Sequence, residues 1–111
     1  MNLDELTLGQ IKEIQNMGAG NIKKHPYKLN QNYFIRTVTM IYLGTLKEIY
    51  EGELVISKAS WVADTGRWSE ACHTGNLSEV ELYKQEHDVI IGRGAILDVS
   101  PWDHDLPKET K

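Results

Sequence analysis

The stretch from Tyr33 to Asp64 constrains the fold of this chain most, because it is long and rich in β-branched and aromatic residues. It reads YFIRTVTMIYLGTLKEIYEGELVISKASWVAD, a composition typical of strands. Glu51 and Gly52 are positioned so that we expect them to form a turn within it. We therefore expect one long strand, bent at Gly44, followed by a hairpin partner in an antiparallel sheet.

The residues before this stretch predict one helix and one loop. Thr7 and Gln10 have the spacing of a capping box, and apolar residues recur about one helical turn apart after them. This pattern predicts an N-terminal helix over residues 3–17, ended by Gly18. Residues 21–32, NIKKHPYKLNQN, show no apolar period and predict a connecting loop.

The second half of the chain predicts a loop, more strands and a tail. The segment TGRWSEACHTGN indicates a loop insertion near residues 64–77, with one helical turn after Ser69. The segment LSEVELYKQEHDVIIGRGAILDVS predicts two more strands around the polar turn KQEHD. Residues 101–111 are expected to form an irregular tail.

These elements predict a mainly β protein with an N-terminal helix, an α+β arrangement. Residues 33–100 are expected to form a small, strongly bent antiparallel sheet or a small barrel. The chain has 111 residues, which suits a single domain over residues 1–111 with one modest core.

Charge and cysteine content exclude some classes of protein. The net charge is −4, which disfavours extended binding to nucleic acid, because that binding depends on many lysine and arginine contacts to phosphate. Cys72 is the single cysteine, so no intrachain disulfide can form and a reducing compartment is expected. No stretch approaches the roughly 20 apolar residues of a membrane span. We expect a cytoplasmic protein that does not bind membranes.

Two segments resemble the signatures of the Sm and Sm-like proteins. In RTVTMIYLGTLKEIYEGELVISKA, a strand, Gly44, Leu46 two residues later and a hairpin turn follow the order of the first signature. In VIIGRGAILDVSP, Arg93, Gly94 and Ile96 match the second signature. The resemblance implies an Sm-like or SH3-like barrel, a ring assembled by pairing the final strands, and a place for Arg93 near a nucleotide at a subunit boundary.

A second resemblance covers most of the chain from Tyr33 onward. The segments IRTVTMIYLG, ASWVADTGRW and GRGAILDVSPWDHDLP together look like a family of small bacteriophage proteins of unknown function. The resemblance implies a viral origin and action in the host cytoplasm. Small phage proteins commonly serve in structural assembly, or counter host defences by binding a host protein or a nucleotide signal.

The triplet Gly92-Arg93-Gly94 interrupts an aliphatic run, although glycine weakens a strand and arginine is costly in a core. In a functional interpretation, the glycines allow close approach of a ligand or subunit while Arg93 presents a planar fork of donors to phosphate. The alternative is a bulge or tight turn in which Arg93 pairs with Asp98 or Glu81.

The segment WVADTGRW concentrates two indoles and an arginine in eight residues. Trp61 and Trp68 could stack on a base, and Arg67 could contact phosphate. Tryptophans are also common in cores and interfaces, and Asp64 with Arg67 could be a pair that stabilises the loop. We expect Trp61 in the core or an interface and Trp68 in contact with a partner.

No catalytic or metal-binding motif is present. Asp103-His104-Asp105 and Cys72-His73 lack the spacing of a zinc site. Cys72 has no nucleophile signature around it, so we expect it to be partly buried. Phosphate and dinucleotide loop motifs are absent. The sequence predicts a non-enzyme that needs no cofactor.

Three functions remain open. The first is a homo-oligomer that sequesters a nucleotide or another small phosphorylated ligand near its subunit boundaries and so counters a host defence. The second is a virion or interaction protein that binds a host or phage protein through its tryptophans and the tail SPWDHDLP. The third is an Sm-like RNA-binding module. The residues predicted to bind the ligand are Arg93, Gly92, Gly94, Arg67, Trp68, Trp61 and Arg36.

Overall fold

A computed structural model describes residues 25–111 of the chain, which form six strands, one short α-helix and one 3₁₀ turn. The predicted N-terminal helix over residues 3–17 lies outside the described residues. The elements, in chain order, are β1 (Asn32–Thr37), β2 (Ile41–Ile49), β3 (Glu53–Asp64), α1 (Trp68–Thr74), β4 (Glu79–Leu82), β5 (Val89–Gly92), the 3₁₀ turn (Arg93–Ala95) and β6 (Ile96–Pro101).

All strand pairs are antiparallel, and the sheet has the order β4-β3-β2-β1-β6. β5 also pairs with β3, along Glu53–Ile56, whereas β4 pairs with the far half of the same strand, from Ser60 to Asp64. β5 does not pair with β6, so the sheet is not closed. The prediction of a mainly β, antiparallel fold is confirmed.

The expected long strand from Tyr33 is in fact two strands, because the chain reverses between Thr37 and Ile41. The Thr37 hydroxyl donates to the Met40 carbonyl at 2.8 Å and accepts from the Met40 amide at 3.0 Å. A hydroxyl that bonds the nearby backbone can close a turn without glycine or proline. The turn TVTM therefore lacks the residues by which hairpins are usually predicted.

The sheet curves where β2 and β3 change register. The pairing shifts between Leu43 and Thr45, where Lys58 of β3 is an extra residue with φ of 53°, which is a β-bulge. A Cβ on Gly44 would lie 3.0 Å from both the Ile56 Cδ1 atom and the Ser57 carbonyl oxygen. Glycine at this position lets the two backbones approach closely at the bulge.

Two apolar clusters lie on opposite faces of β1. Tyr33 and Ile35 belong to one cluster, and Phe34 between them belongs to the other. Burial on both faces explains the nearly continuous apolar sequence of this strand. The first cluster also contains Leu46, Leu54, Ile56, Ala59 and Ile91, and the second contains Leu43, Val62, Ala71, Leu77, Val80 and Trp102.

The segment between β3 and β4, predicted as a loop with one helical turn, contains the two-turn helix α1. The helix ends at Gly75, which has φ of 77° and donates its amide proton to the Ala71 carbonyl. Ala71 is the buried residue of α1. The helix therefore packs onto the second apolar cluster through this small side chain.

After β6 the chain has no further helix or strand, but it remains attached to the sheet. The amide and carbonyl of Lys111 bond to those of Val80 in β4, both at 3.0 Å. In residues 25–111, no helix is long and apolar enough to cross a membrane.

Candidate functional site

Three adjoining depressions contain four of the seven predicted site residues. Arg93 lines the first, which we call the Arg93 groove; Arg36 and Trp68 line the second, the Trp68 groove; and Arg67 lines the third, the Arg67 cleft. Asp98 is shared by the first two and Thr65 by the last two. The fold thus separates arginines that the sequence analysis had assigned to one site.

The Arg93 groove is an open, mainly apolar depression of about 500 Å³ between the start of the described chain, the 3₁₀ turn and β6. This volume lies in the range typical of small-molecule sites. At neutral pH, Arg93 and Asp98 are its charged groups. The full lining is Pro26, Tyr27, Tyr33, Arg93, Ile96, Leu97, Asp98, Val99 and Pro101.

Arg93 is held over an aromatic ring in this groove. Its guanidinium carbon lies 5.5 Å from the ring centroid of Tyr27, within the range of a cation–π contact. The Tyr27 ring in turn meets Tyr33 edge-on, with centroids 6.0 Å apart. The Nε atom of Arg93 is buried and has no hydrogen-bond partner among residues 25–111. The contact with Tyr27 positions the Arg93 side chain, while its Nε–H donates no hydrogen bond to residues 25–111.

The Gly92-Arg93-Gly94 triplet ends one strand and begins a 3₁₀ turn. Gly92 is the last residue of β5, and the turn carries the chain directly into β6. Neither glycine has a positive φ, and a Cβ at either position would meet no atom within 4 Å. The space beside both glycines is therefore open, and the fold itself does not require glycine there.

Arg36 is paired with a carboxylate, whereas Arg93 forms no ion pair with any residue from 25 to 111. Arg36 lies directly opposite Asp98 across β1 and β6, and its Nε donates to Asp98 Oδ1 at 2.9 Å while its Nη2 donates to Oδ2. The hydrogen bond from Arg36 lowers the pKa of Asp98, so this carboxylate is ionised at neutral pH. The alternative prediction that Asp98 pairs with Arg93 is wrong, and no ion pair joins Arg93 to Glu81 either.

The Trp68 groove has an aromatic floor. The centroid of the Phe34 ring lies 4.7 Å from that of Trp68. Trp68, the first residue of α1, remains 45% exposed. Ile41, Thr65 and Ser100 complete the lining with Arg36 and Asp98. A flat or apolar group could cover the exposed face of this indole.

The Arg67 cleft is smaller and more polar. Its other lining residues are Thr65, Gly66, Glu70, Asn76, Leu77, Ser78 and Lys111. Arg67 is exposed and forms no ion pair within the described part of the chain. The suggested pair of Asp64 with Arg67 does not form, because Asp64 Oδ1 instead accepts a bond from the Gly66 amide at 2.8 Å.

The other two tryptophans are not in these depressions. Trp61 is half-buried on β3, opposite Tyr42 and Glu81. Trp102 is only 4% exposed and its ring stacks on Phe34 at 5.7 Å. Trp102 is part of the second apolar cluster, so in the alternative of a protein-binding tail SPWDHDLP this side chain is not an exposed contact residue.

Two strand edges are uncovered in the described part of the chain. β5 pairs only with β3, and β6 pairs only with β1. Each carries a large exposed apolar residue, Ile90 in β5 and Leu97 in β6, which are 70% and 63% exposed. Uncovered edges with apolar side chains are places where another chain can add a strand.

The residues considered for metal binding or nucleophilic chemistry do not assemble. Within residues 25–111, no group of three or more His, Cys, Asp or Glu could hold a metal ion. His104 contacts the carbonyl of Cys72 through Nε2 at 2.7 Å, which ties the tail to α1. Cys72 is exposed, so the expectation of partial burial is wrong.

Comparison with known protein families and with curated protein sequences found no match to this chain.

Arg93 is the one residue of the Arg93 groove among the predicted site residues; of the other eight, Tyr27 supplies the ring under the guanidinium and Asp98 the negative charge. Tyr27 lies in the segment predicted as a connecting loop, where a single aromatic residue among lysines and asparagines was the available signal. Asp98 was considered only as a partner of Arg93. Its role became visible once the register placed it opposite Arg36.

Proposed function

We propose that the protein is a non-catalytic, homo-oligomeric binding protein that sequesters a nucleotide-like ligand in the Arg93 groove. The observation that carries the proposal is the Arg93 guanidinium, which is positioned over Tyr27 and has no carboxylate partner among residues 25–111.

The contrast between two arginines supports an anionic ligand. The Arg36 charge is compensated by a two-point contact with Asp98, whereas Arg93 has no ion pair within residues 25–111 and lies beside an apolar groove. A guanidinium presents donors in a planar fork that matches phosphate.

The shape and lining of the groove support a ligand with a planar part. Tyr27 and Tyr33 provide aromatic surface, and Ile96, Leu97 and Val99 provide aliphatic surface. Aromatic side chains stack on bases of any sequence, with about 1–3 kcal/mol per base. The groove thus offers a nucleotide one guanidinium for phosphate and aromatic surface for a base.

The uncovered edges of β5 and β6 support a homo-oligomer. A second copy could add its edge to either strand and cover Ile90 or Leu97. Leu97 also lines the Arg93 groove, so a subunit bound at the β6 edge would form one of its walls. The open barrel of Sm-like proteins is the finer architecture that we propose, on the basis of the two signature segments.

The resemblance to small bacteriophage proteins supports a biological role for sequestration. A protein that binds a nucleotide without converting it lowers the free concentration of that nucleotide. We propose that the sequestered compound is a nucleotide signal of a host defence.

Native mass spectrometry of the freshly purified protein tests the proposal. We expect a cyclic oligomer that carries a few hundred extra daltons per site, and the released compound identifies the ligand. Isothermal titration with a panel of ribonucleotides should then show binding that Arg93→Ala abolishes. Lys84→Ala is the matched control, because it removes one exposed positive charge outside the three depressions. A bare monomer that binds no member of the panel would overturn the proposal.

A second candidate function is binding of a host or phage protein, favoured by the 45% exposure of Trp68. It predicts a defined partner whose binding requires Trp68 and not Arg93. The Sm-like RNA-binding function is less well supported because of the net charge of −4. It predicts binding of single-stranded RNA that weakens steeply with salt.

A further inference from the structure

We infer that residues 108–111 cover the outer edge of β4 as a short extra strand. Once uncovered, this edge is an interaction surface for a strand of a second copy of the chain. Neither β4 nor residues 108–111 line the Arg93 groove, so this surface is independent of the proposed nucleotide binding.

The tail bonds to the backbone groups of β4 that point away from β3. The Val80 amide donates to the Lys111 carbonyl, and the Lys111 amide donates to the Val80 carbonyl, both at 3.0 Å. Such a reciprocal pair is the repeating unit of an antiparallel ladder. The Leu82 amide, two residues further along and on the same side, donates to the Thr110 hydroxyl at 3.2 Å. The tail therefore pairs with β4 as a strand would.

Backbone bonds, rather than buried side chains, hold the end of the tail to β4. All residues from 108 to 111 are exposed, whereas Leu106 packs on the second apolar cluster. An open depression of about 370 Å³ is lined by Val80 on one side and by tail residues on the other. Segments with few buried apolar contacts open at low cost in free energy. Residues 108–111 can therefore leave β4 while Leu106 stays in place.

An uncovered β4 would present unpaired amide and carbonyl groups at the edge of the sheet. Such an edge adds a strand from another chain, and proteins commonly prevent this by covering the edge with a loop. A second copy is the partner that fits, because strand addition uses backbone groups and every copy carries edge strands. Within residues 25–111, β5 and β6 each pair with a single strand.

The cover on β4 therefore limits how copies associate. With β4 covered, β5 and β6 are the strand edges through which copies can join in the described part of the chain. A third open edge would let further copies add to an assembly that is otherwise complete. Contacts that do not close on themselves produce assemblies that grow without limit.

Removal of residues 108–111 tests this role, because it leaves Leu106 and Trp102 in the second apolar cluster. Light scattering should give a single mass for the unmodified protein at every concentration. For the shortened protein, we expect a mass that rises with concentration. Circular dichroism checks that both proteins keep the sheet.

Hydrogen exchange measured at single residues shows whether β4 is the place of association. In dilute solution, the amides of Val80 and Leu82 should exchange about tenfold faster in the shortened protein, because each has lost its acceptor. They should become protected again as the concentration rises. The Tyr83 amide is the internal reference, since it donates to the Ala59 carbonyl of β3 at 3.0 Å and should not change.

A pair of double variants separates the backbone pairing from the side chains of the tail. Thr110→Val/Lys111→Pro removes the hydroxyl that accepts from Leu82 and the amide that donates to Val80, since proline has no N–H. It should behave as the shortened protein does. Thr110→Ser/Lys111→Ala is the matched control, because it keeps both groups and removes the same positive charge. This control should match the unmodified protein.

Three results would overturn the inference. The first is a shortened protein that keeps its sheet and has the same mass at every concentration. The second is growth without renewed protection of Val80 and Leu82, because the copies then associate elsewhere. The third is loss of the sheet in both the shortened protein and the Thr110→Val/Lys111→Pro variant, because the tail is then required for folding. None of these experiments uses a nucleotide, so failure here leaves the proposed function standing.

Discussion

The ring of Phe34 on β1 contacts the ring of Trp68 on α1, with centroids 4.7 Å apart and planes inclined by 44°. On the same cluster, the Trp102 ring stacks on Phe34 at 5.7 Å and 24°. Both tryptophans therefore contact Phe34, but Trp68 is 45% exposed to solvent whereas Trp102 is 4% exposed.

This difference predicts unequal costs for the two tryptophans. Trp102→Ala should lower the free energy of unfolding by about 3–5 kcal/mol, because it opens a cavity in the second apolar cluster. Trp68→Ala should cost about 1 kcal/mol, because much of its indole surface already faces water. Urea titration followed by circular dichroism measures both values, and equal costs would show that Trp68 is enclosed by something outside residues 25–111.

Replacement of Gly75 should destabilise the fold. Its φ of 77° is unfavourable for a residue with a side chain, and an added Cβ would lie 2.7 Å from the Cβ and Cγ of His104. We expect Gly75→Ala to cost about 1–3 kcal/mol, measured as a lower urea midpoint. Gly52→Ala is the control, since a Cβ there meets nothing within 4 Å. A Gly75→Ala protein as stable as the control would contradict the packing of the tail on α1.

The contact of Arg93 with Tyr27 predicts a graded response in ligand binding. Tyr27→Phe keeps the ring and should bind the tightest-binding ribonucleotide of the panel nearly as well as the unmodified protein. Tyr27→Ala removes both the ring under the guanidinium and aromatic surface for the base, and should weaken binding by at least two- to fivefold, the range of an exposed cation–π contact alone. Titration calorimetry distinguishes these results. Equal weakening in both variants would assign the effect to the tyrosine hydroxyl.

The Arg36–Asp98 pair predicts a dependence of stability on acid. Its hydrogen bond lowers the pKa of Asp98 in the folded protein, whereas the unfolded chain has the ordinary value of about 3.9. The pair therefore stabilises the fold fully above about pH 4, and this contribution is lost as the pH falls through the lower, folded value.

Urea titrations of the unmodified protein and of Arg36→Gln, made from pH 7 to below pH 3, measure this contribution. The difference in unfolding free energy between the two proteins should shrink below about pH 4. A difference that stays constant across this range would mean that Asp98 is not the titrating partner.

Much of the sheet could be predicted from sequence because strand formers dominate residues 33–64 and turn residues separate the later strands. The Glu51-Gly52 turn joins β2 to β3, as the composition predicts. The turn at Thr37–Met40 could not be predicted, since a threonine hydroxyl closes it in place of a typical turn residue.

The site was harder to predict because it depends on strand register. Arg36 and Asp98 are 62 positions apart in the chain and become neighbours only when β1 pairs with β6. That pairing compensates the charge of one arginine predicted to contact phosphate, whereas Arg93 and Arg67 have no ion pair within residues 25–111. The sequence predicts the residue types of the site, whereas the sheet decides which of these arginines is paired.

The bend of β3 at Lys58 divides the strand into one half that pairs with β5 and another that pairs with β4. The half of β3 beyond the bend, together with β4, α1 and the tail, supplies no hydrogen-bonded partner to β5 or β6. In backbone pairing this half is joined to β2 instead, where Trp61 and Ser60 lie opposite Tyr42 and Leu43. In side-chain packing its loss would expose Phe34 and Leu43 to water. A replacement for this half would therefore have to supply a partner strand for β2 and a new apolar cover for these two residues, but no hydrogen bonds to β5 or β6.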